Sequence, residues 1–218
     1  NCDWSSDVCS SDPPLPPLED PLEPDRILHV ALTMEPGEWA ALQAEGRAPE
    51  AAIGPGCLDG PSPSPYQWHH AGVTLERSAD LALGDVGVSK KGFLGSLSAQ
   101  KPSLRLSFDK YVAGAELAGQ SRMTLNNSKQ DGTYLRQCVV YEQFAAAGVP
   151  APRCNFAEVS VNGEPQGLFV QVESIRHGFL DRHFHDGGAG ALYEGRFSDF
   201  RPEALATFDV KYDDAVMA

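Results

Sequence analysis

The sequence predicts an α+β domain, a mostly antiparallel sheet with one principal helix packed against it. Three observations carry this expectation: strand-like alternation recurs from Leu28 to Phe108, one long amphipathic segment runs between Asp131 and Gly148, and an Asn162-Gly163 pair separates two further alternating runs. A sheet with one apolar face needs a second layer to cover it, and a single amphipathic helix supplies one.

The first residues are set aside. Asp3–Asp12, DWSSDVCSSD, reads as the translation of a sequencing-library adapter, so Asn1–Asp12 is taken as an artefact of gene assembly. Pro13–Asp25, PPLPPLEDPLEPD, is dense in proline and acid, favours extended chain and reads as a linker. In RILHVALTM the apolar residues alternate in the manner of a two-sided strand. EPGEWAALQAEG then has Pro36 and acids at its start and Gly46 at its end, the marks of a short helix. The loop Pro49–Pro65 is too rich in proline and glycine for local structure.

From Tyr66 the period is two. QWHHAGVTLE and DVGVSKKG read as strands around a turn, and SLRLSFDKY puts Leu104, Leu106 and Phe108 on one face with Ser103, Arg105 and Ser107, and Lys101 before them, on the other. After SRMTLNN the period becomes helical. Asp131 is placed as N-cap, Leu135, Cys138, Val139 and Ala146 are expected to face a core, and Gly148 followed by Pro150 is the stop. FAEVSV-NG-EPQGLFVQVESI is a hairpin whose Asn-Gly pair suits a type I′ turn, while Pro165 and Gly167 imply an irregular return strand.

The formal net charge is −13, of which Asp3, Asp7 and Asp12 supply three. The acidic remainder argues against a nucleic-acid partner and suits a protein that recruits basic ones. No apolar run approaches the ~18 residues of a membrane helix. Of the five cysteines, Cys2 and Cys9 fall in the adapter-like stretch; Cys57, Cys138 and Cys154 have neither zinc nor redox-pair spacing, and their disulfide state is open. His69 and His70 point to opposite faces of a strand, and His183 and His185 lack a second ligand cluster, so no metal site is expected.

VGVSKKG, KPSLRLSFDKY, LNNSKQDGTYLRQCVVYEQFAAAGVPAPR, VNGEPQGLFVQVE, FLDRHF and GALYEG occur in the order found in the spore-coat kinase family CotH, which this chain resembles over residues 26–195. The resemblance implies a protein-kinase-like N-lobe, with residues 196–218 beginning a link to a second lobe. It also implies transfer of the γ-phosphate of ATP, with Mg²⁺, to Ser or Thr of basic coat or secreted proteins. The location implied is extracellular, at the cell surface or in the spore coat. The catalytic and metal-binding aspartates are expected beyond Ala218, so no catalytic residue is assigned here and the chain is read as a fragment at both ends.

For the nucleotide, the resemblance points to Lys101 and Arg105, about 13 Å apart on one strand face. It adds Lys91 in the glycine-containing loop KKGFLGSLS, Asn127 and Arg136 at the mouth of the helix, and Glu173 at the rim of an adenine slot lined by Phe169, Val170 and Val172. Gln137 stands where many relatives carry Glu, the carboxylate that would hold the phosphate-binding lysine. Ser89 stands where a basic residue is usual. The alternative reading is a non-catalytic surface or coat assembly module.

Overall fold

The computed structural model describes residues 18, 20–24, 26–47, 64–76, 78, 81–184, 191–195 and 200–213. Asn1–Asp12, Cys57 and His185 lie outside them. Seven strands, β1 (Leu28–Thr33), β2 (His69–Leu75), β3 (Ala82–Lys91), β4 (Ser103–Ser107), β5 (Arg122–Asn126), β6 (Cys154–Val161) and β7 (Glu164–Val172), close into a barrel in the order β1-β2-β3-β4-β5-β7-β6. Neighbours run antiparallel except at the seam, where β1 lies parallel to β6 with Val30 opposite Val159.

Alternation decides which side chains fill the barrel. Leu28, Val30, Leu32, Val73, Leu75, Val86, Val88, Leu104, Leu106, Leu125, Val159 and Phe169 pack inward as one cluster with almost no exposure. At ~25 cal/mol per Å² this interior is the main stabilising term. The type I′ turn forms as its sequence predicts, with Asn162 and Gly163 both at positive φ. Its Asn162 Oδ1 also accepts a hydrogen bond from the backbone of Met34, stitching the hairpin to the end of β1. The return strand is irregular as expected, its register slipping opposite Val159 and Ser160 while Gly167 takes φ +82°.

The predicted α+β layering and kinase-like N-lobe are overturned by this closed, mostly β architecture, in which the helices are small. Period two is common to open sheets and barrels; only long-range pairing, here β1 with both β2 and β6, separates them. The expected principal helix is α2 (Arg136–Ala146), after α1 (Pro36–Ala44) and before α3 (His177–His183). Of the four residues expected to face a core, Cys138 alone is buried, while Leu135 and Val139 are 53% and 44% exposed. Outside the barrel, β8 (Ala191–Gly195) and β9 (Phe208–Asp213) form a two-stranded ribbon. Part of the predicted linker is docked: Leu22 is buried and the side chain of Asn155 donates to the carbonyl of Glu23.

The helix stop behaves as predicted. Gly148 has φ +76°, and Val149 N–H closes on the carbonyl of Phe144. An added Cβ would meet nothing within 4 Å, so the cost of a side chain there is backbone strain alone. Gly148→Val is expected to lower stability by about 1 kcal/mol in urea titration; an unchanged midpoint would remove the left-handed turn from this account.

Candidate functional site

On the outer surface of β3, β4, β5 and β7 the same alternation gathers polar side chains. Ser89 stands opposite Arg105, Arg105 opposite Thr124, and Thr124 opposite Val172, so these four form one row across the barrel wall. Lys91 and Asn126 lie beside that row on β3 and β5, where Lys91 Nζ donates to Asn126 Oδ1 at 2.8 Å. This wall forms one side of a cleft of about 860 Å³ that continues into another of about 500 Å³, the two sharing Lys91, Asn126, Gln137, Tyr141 and Glu194.

Each wall residue is held by a neighbour. The Arg105 guanidinium lies 4.9 Å over the Trp68 ring and reaches Ser89 Oγ at 3.5 Å. Asn126 Nδ2 donates to Gln137 Oε1 at 2.9 Å, and Gln137 Nε2 donates to Tyr141 Oη at 3.1 Å. A continuous line of hydrogen bonds therefore runs from α2 through Asn126 to the ammonium of Lys91. Burial, with repulsion from Arg105 added, pushes Lys91 down to about 8, and the Glu194 carboxylate partly offsets this. Glu194 comes from the ribbon, where Lys211 Nζ pairs with it at 2.8 Å.

The sequence-derived candidates separate into two groups. Lys91 and Arg105 share the wall, and Arg136, exposed at the head of α2, lines the larger part of the cleft. Lys101 precedes β4 and turns away from Arg105: its Nζ donates to the Leu168 carbonyl at 2.6 Å and to Tyr134 Oη at 3.1 Å, and it lies over the Phe169 ring. Asn127 lines the larger part of the cleft but is buried there, with its amide fully engaged. Its amide donates to the carbonyls of Ser96 and Lys101, and its oxygen accepts from Lys129 N–H. These bonds staple the loop after β3 to the end of β5.

Glu173 lines the smaller part of the cleft, with its carboxylate taken up by arginines. Arg182 grips its carboxylate with two bonds of 2.5 Å, and Arg153 contributes its backbone N–H and its Nε. Of the adenine-slot residues, Phe169 points into the barrel interior, Val170 lies beneath α2, and Val172 reaches the cleft.

The loop expected to cradle phosphate is partly self-satisfied. Phe93 N–H donates to Ser96 Oγ and Ser96 N–H to the Phe93 carbonyl. Asp131 caps α2 from a distance, accepting the N–H of Arg136 at 2.9 Å while also bonding Thr133. The helix therefore starts later than the capping signal alone predicts. Thr124, Glu194 and Lys211 were missed as cleft residues. The GALYEG motif contains Glu194 and could have raised it; Lys211 has no sequence signal at all.

The family model described as CotH kinase protein matches residues 88–216, a span that contains Lys91, Arg105, Asn126, Gln137, Glu194 and Lys211. The Inner spore coat protein H-like protein of Bacillus subtilis (strain 168) is 29% identical over 76 residues. That alignment takes in 35% of this chain and 23% of the relative, so under a quarter of the relative's length is represented. The motifs, their order and the matched span together place this chain in the CotH kinase protein family.

Proposed function

We propose that the cleft binds the polyphosphate of ATP, and that the chain is the nucleotide-binding part of a CotH-type phosphotransferase acting on Ser or Thr of coat or secreted proteins. The observation that carries this reading is the convergence of Lys91 and Arg105 on one barrel wall, with Asn126 holding the lysine. Phosphoryl transfer is catalysed largely by positioning and by fixed cations around the phosphates, and such a wall supplies both. When bound, Mg²⁺ would neutralise developing phosphate charge. Among the described residues no cluster of three or more His, Cys, Asp or Glu could hold a metal ion, so no metal ligand is assigned.

The test is calorimetric titration of Mg-ATP into the intact protein and its variants. Lys91→Met and Arg105→Met should each weaken binding about tenfold, the loss of one charge-assisted contact. Lys101→Met, whose ammonium is committed to Leu168 and Tyr134, should leave affinity unchanged. With Lys91 pushed down to about 8, affinity should also fall as pH rises through that value, because the neutral amine attracts phosphate weakly. Undiminished affinity in both cleft variants would reject the site.

Export and association with a spore coat belong to the same proposal. They are supported by the name of the Bacillus relative and by a Cys138–Cys154 disulfide, which suits an oxidising compartment. A second reading, a non-catalytic coat assembly module, is favoured by Gln137, a neutral amide where the family resemblance implies a carboxylate. It would replace the first if the protein failed to bind Mg-ATP yet bound a basic, Ser-rich peptide in a salt-sensitive manner.

A further inference from the structure

On the side of the barrel where α1 crosses, His69 is buried between two carboxylates from opposite ends of that helix. Its Nδ1 lies 2.6 Å from Glu38 Oε2, in the first turn, and its Nε2 lies 2.8 Å from Glu45 Oε1, at the C-terminal cap. Carboxylates only accept hydrogen bonds, so both contacts are satisfied only when both ring nitrogens carry protons. A neutral ring would present a lone pair to one of the acids. Glu45 has little slack, since its Oε2 is already buried with no hydrogen-bond partner among the described residues.

Among the described residues, the other charged and titratable groups around this contact are few. Lys90 Nζ, from β3, donates to the carbonyls of Gln43 and Glu45 at the end of α1. Arg47 and Tyr66 interact electrostatically with one another and Tyr66 with Glu45, and Tyr111 feels the charges of Glu38 and of Asp85, which pairs with His70. Arg47 and Tyr66 also reach the cleft loop: Arg47 lies 4.7 Å over the Phe93 ring, and Tyr66 Oη donates to the Gly92 carbonyl at 2.8 Å.

We propose that His69 is a pH-sensitive latch, whose doubly bonded imidazolium holds α1 on the barrel and whose loss of a proton loosens α1 together with the cleft loop Gly92–Ser96. Burial alone would lower the affinity of His69 for its proton, but the bonds to Glu45 and Glu38 outweigh it and raise the group above its ordinary 6.5. Stability from a raised histidine is complete below the unfolded value and is lost as pH rises through the folded one. The latch is therefore closed in mild acid and released toward alkaline pH. It does not depend on what the cleft binds.

The test is hydrogen exchange read by mass spectrometry from about pH 6 to about pH 9, corrected for intrinsic rates, with an NMR titration of the His69 ring. Protection of residues 36–45 should fall several-fold across the raised His69 titration, the loop at residues 92–96 should follow, and β4 should stay protected. His69→Gln should be poorly protected at every pH. Should that variant not fold, Glu38→Gln, at a half-exposed position, should keep the fold and move the release to lower pH. A His69 titration at or below 6.5 would overturn the proposal. So would a pH-dependence that persists in His69→Gln, which would assign the effect to Lys90, or one that Glu38→Gln leaves in place.

Discussion

Cys138→Ser is expected to lower the stability of the folded protein by about 3 kcal/mol and to leave α2 the least protected element near the cleft. The Cys138–Cys154 disulfide spans a sequence separation of 16, and a loop of that size removes about 3 kcal/mol of unfolded-chain entropy when closed. Burial cannot replace it. Cys138 is the one buried residue of α2, and it packs with Val170 and Val172 in a small cluster apart from the barrel interior. Without the bond, little apolar area holds the helix in place.

The loss extends to the cleft. Gln137, next to the cysteine, receives the hydrogen bond from Asn126 that orients the acceptor of Lys91. Urea titrations should show native protein in a strong reductant falling to the stability of the variant. Cys154→Ser should match Cys138→Ser, and the double variant should be no worse than either, because the two changes remove one bond. A loss well below 1 kcal/mol, or a reductant that changes nothing, would mean that packing alone seats α2.

The strands and their turns were legible because each is written locally. Alternation placed Leu104 and Leu106 inward and Arg105 outward, and separated buried His69 from exposed His70. The Asn162-Gly163 turn and the stop at Gly148 needed only backbone stereochemistry. Closure was not legible, because whether β1 meets β6 depends on residues more than a hundred positions apart. The pairing of Cys138 with Cys154 was hidden for a similar reason, since nothing local sets how α2 docks.

The site shows the same division. Arg105 could be read as a cation on the polar face of its strand and Lys91 as part of the loop KKGFLGSLS, but Lys101 could not be separated from Arg105. The strand begins at Ser103, and beyond its end alternation no longer governs direction. Glu173 does line the cleft, but its carboxylate is already committed. Its engagement with two arginines depends on where α3 and the start of β6 come to rest, and neither placement has a signal in the sequence.

Glu173→Gln is expected to destabilise the protein by about 2 kcal/mol at neutral pH. The Glu173 side chain is 4% exposed, and its charge is balanced by Arg182 and Arg153, with Arg153 also paired to Asp20. Removing one partner of a buried ion pair costs ~3–5 kcal/mol, because the remaining charge loses its compensation. The cost here is smaller, since Arg153 and Arg182 are 36% and 34% exposed and can turn toward water.

The pH-dependence separates this role from mere packing. Burial alone would raise the Glu173 carboxyl, but the paired arginines outweigh it and hold it below its usual range. A depressed carboxylate contributes stability in full above its unfolded value, near 4.5, and loses it as pH falls through the folded value. Native protein and Glu173→Gln should therefore differ most at neutral pH and converge in acid. Urea titrations from about pH 7 down to about pH 3 would show it. A difference that stays constant across that range would assign the loss to shape rather than charge, and one below about 0.5 kcal/mol at neutral pH would mean that α3 and β6 are held together without this ion pair.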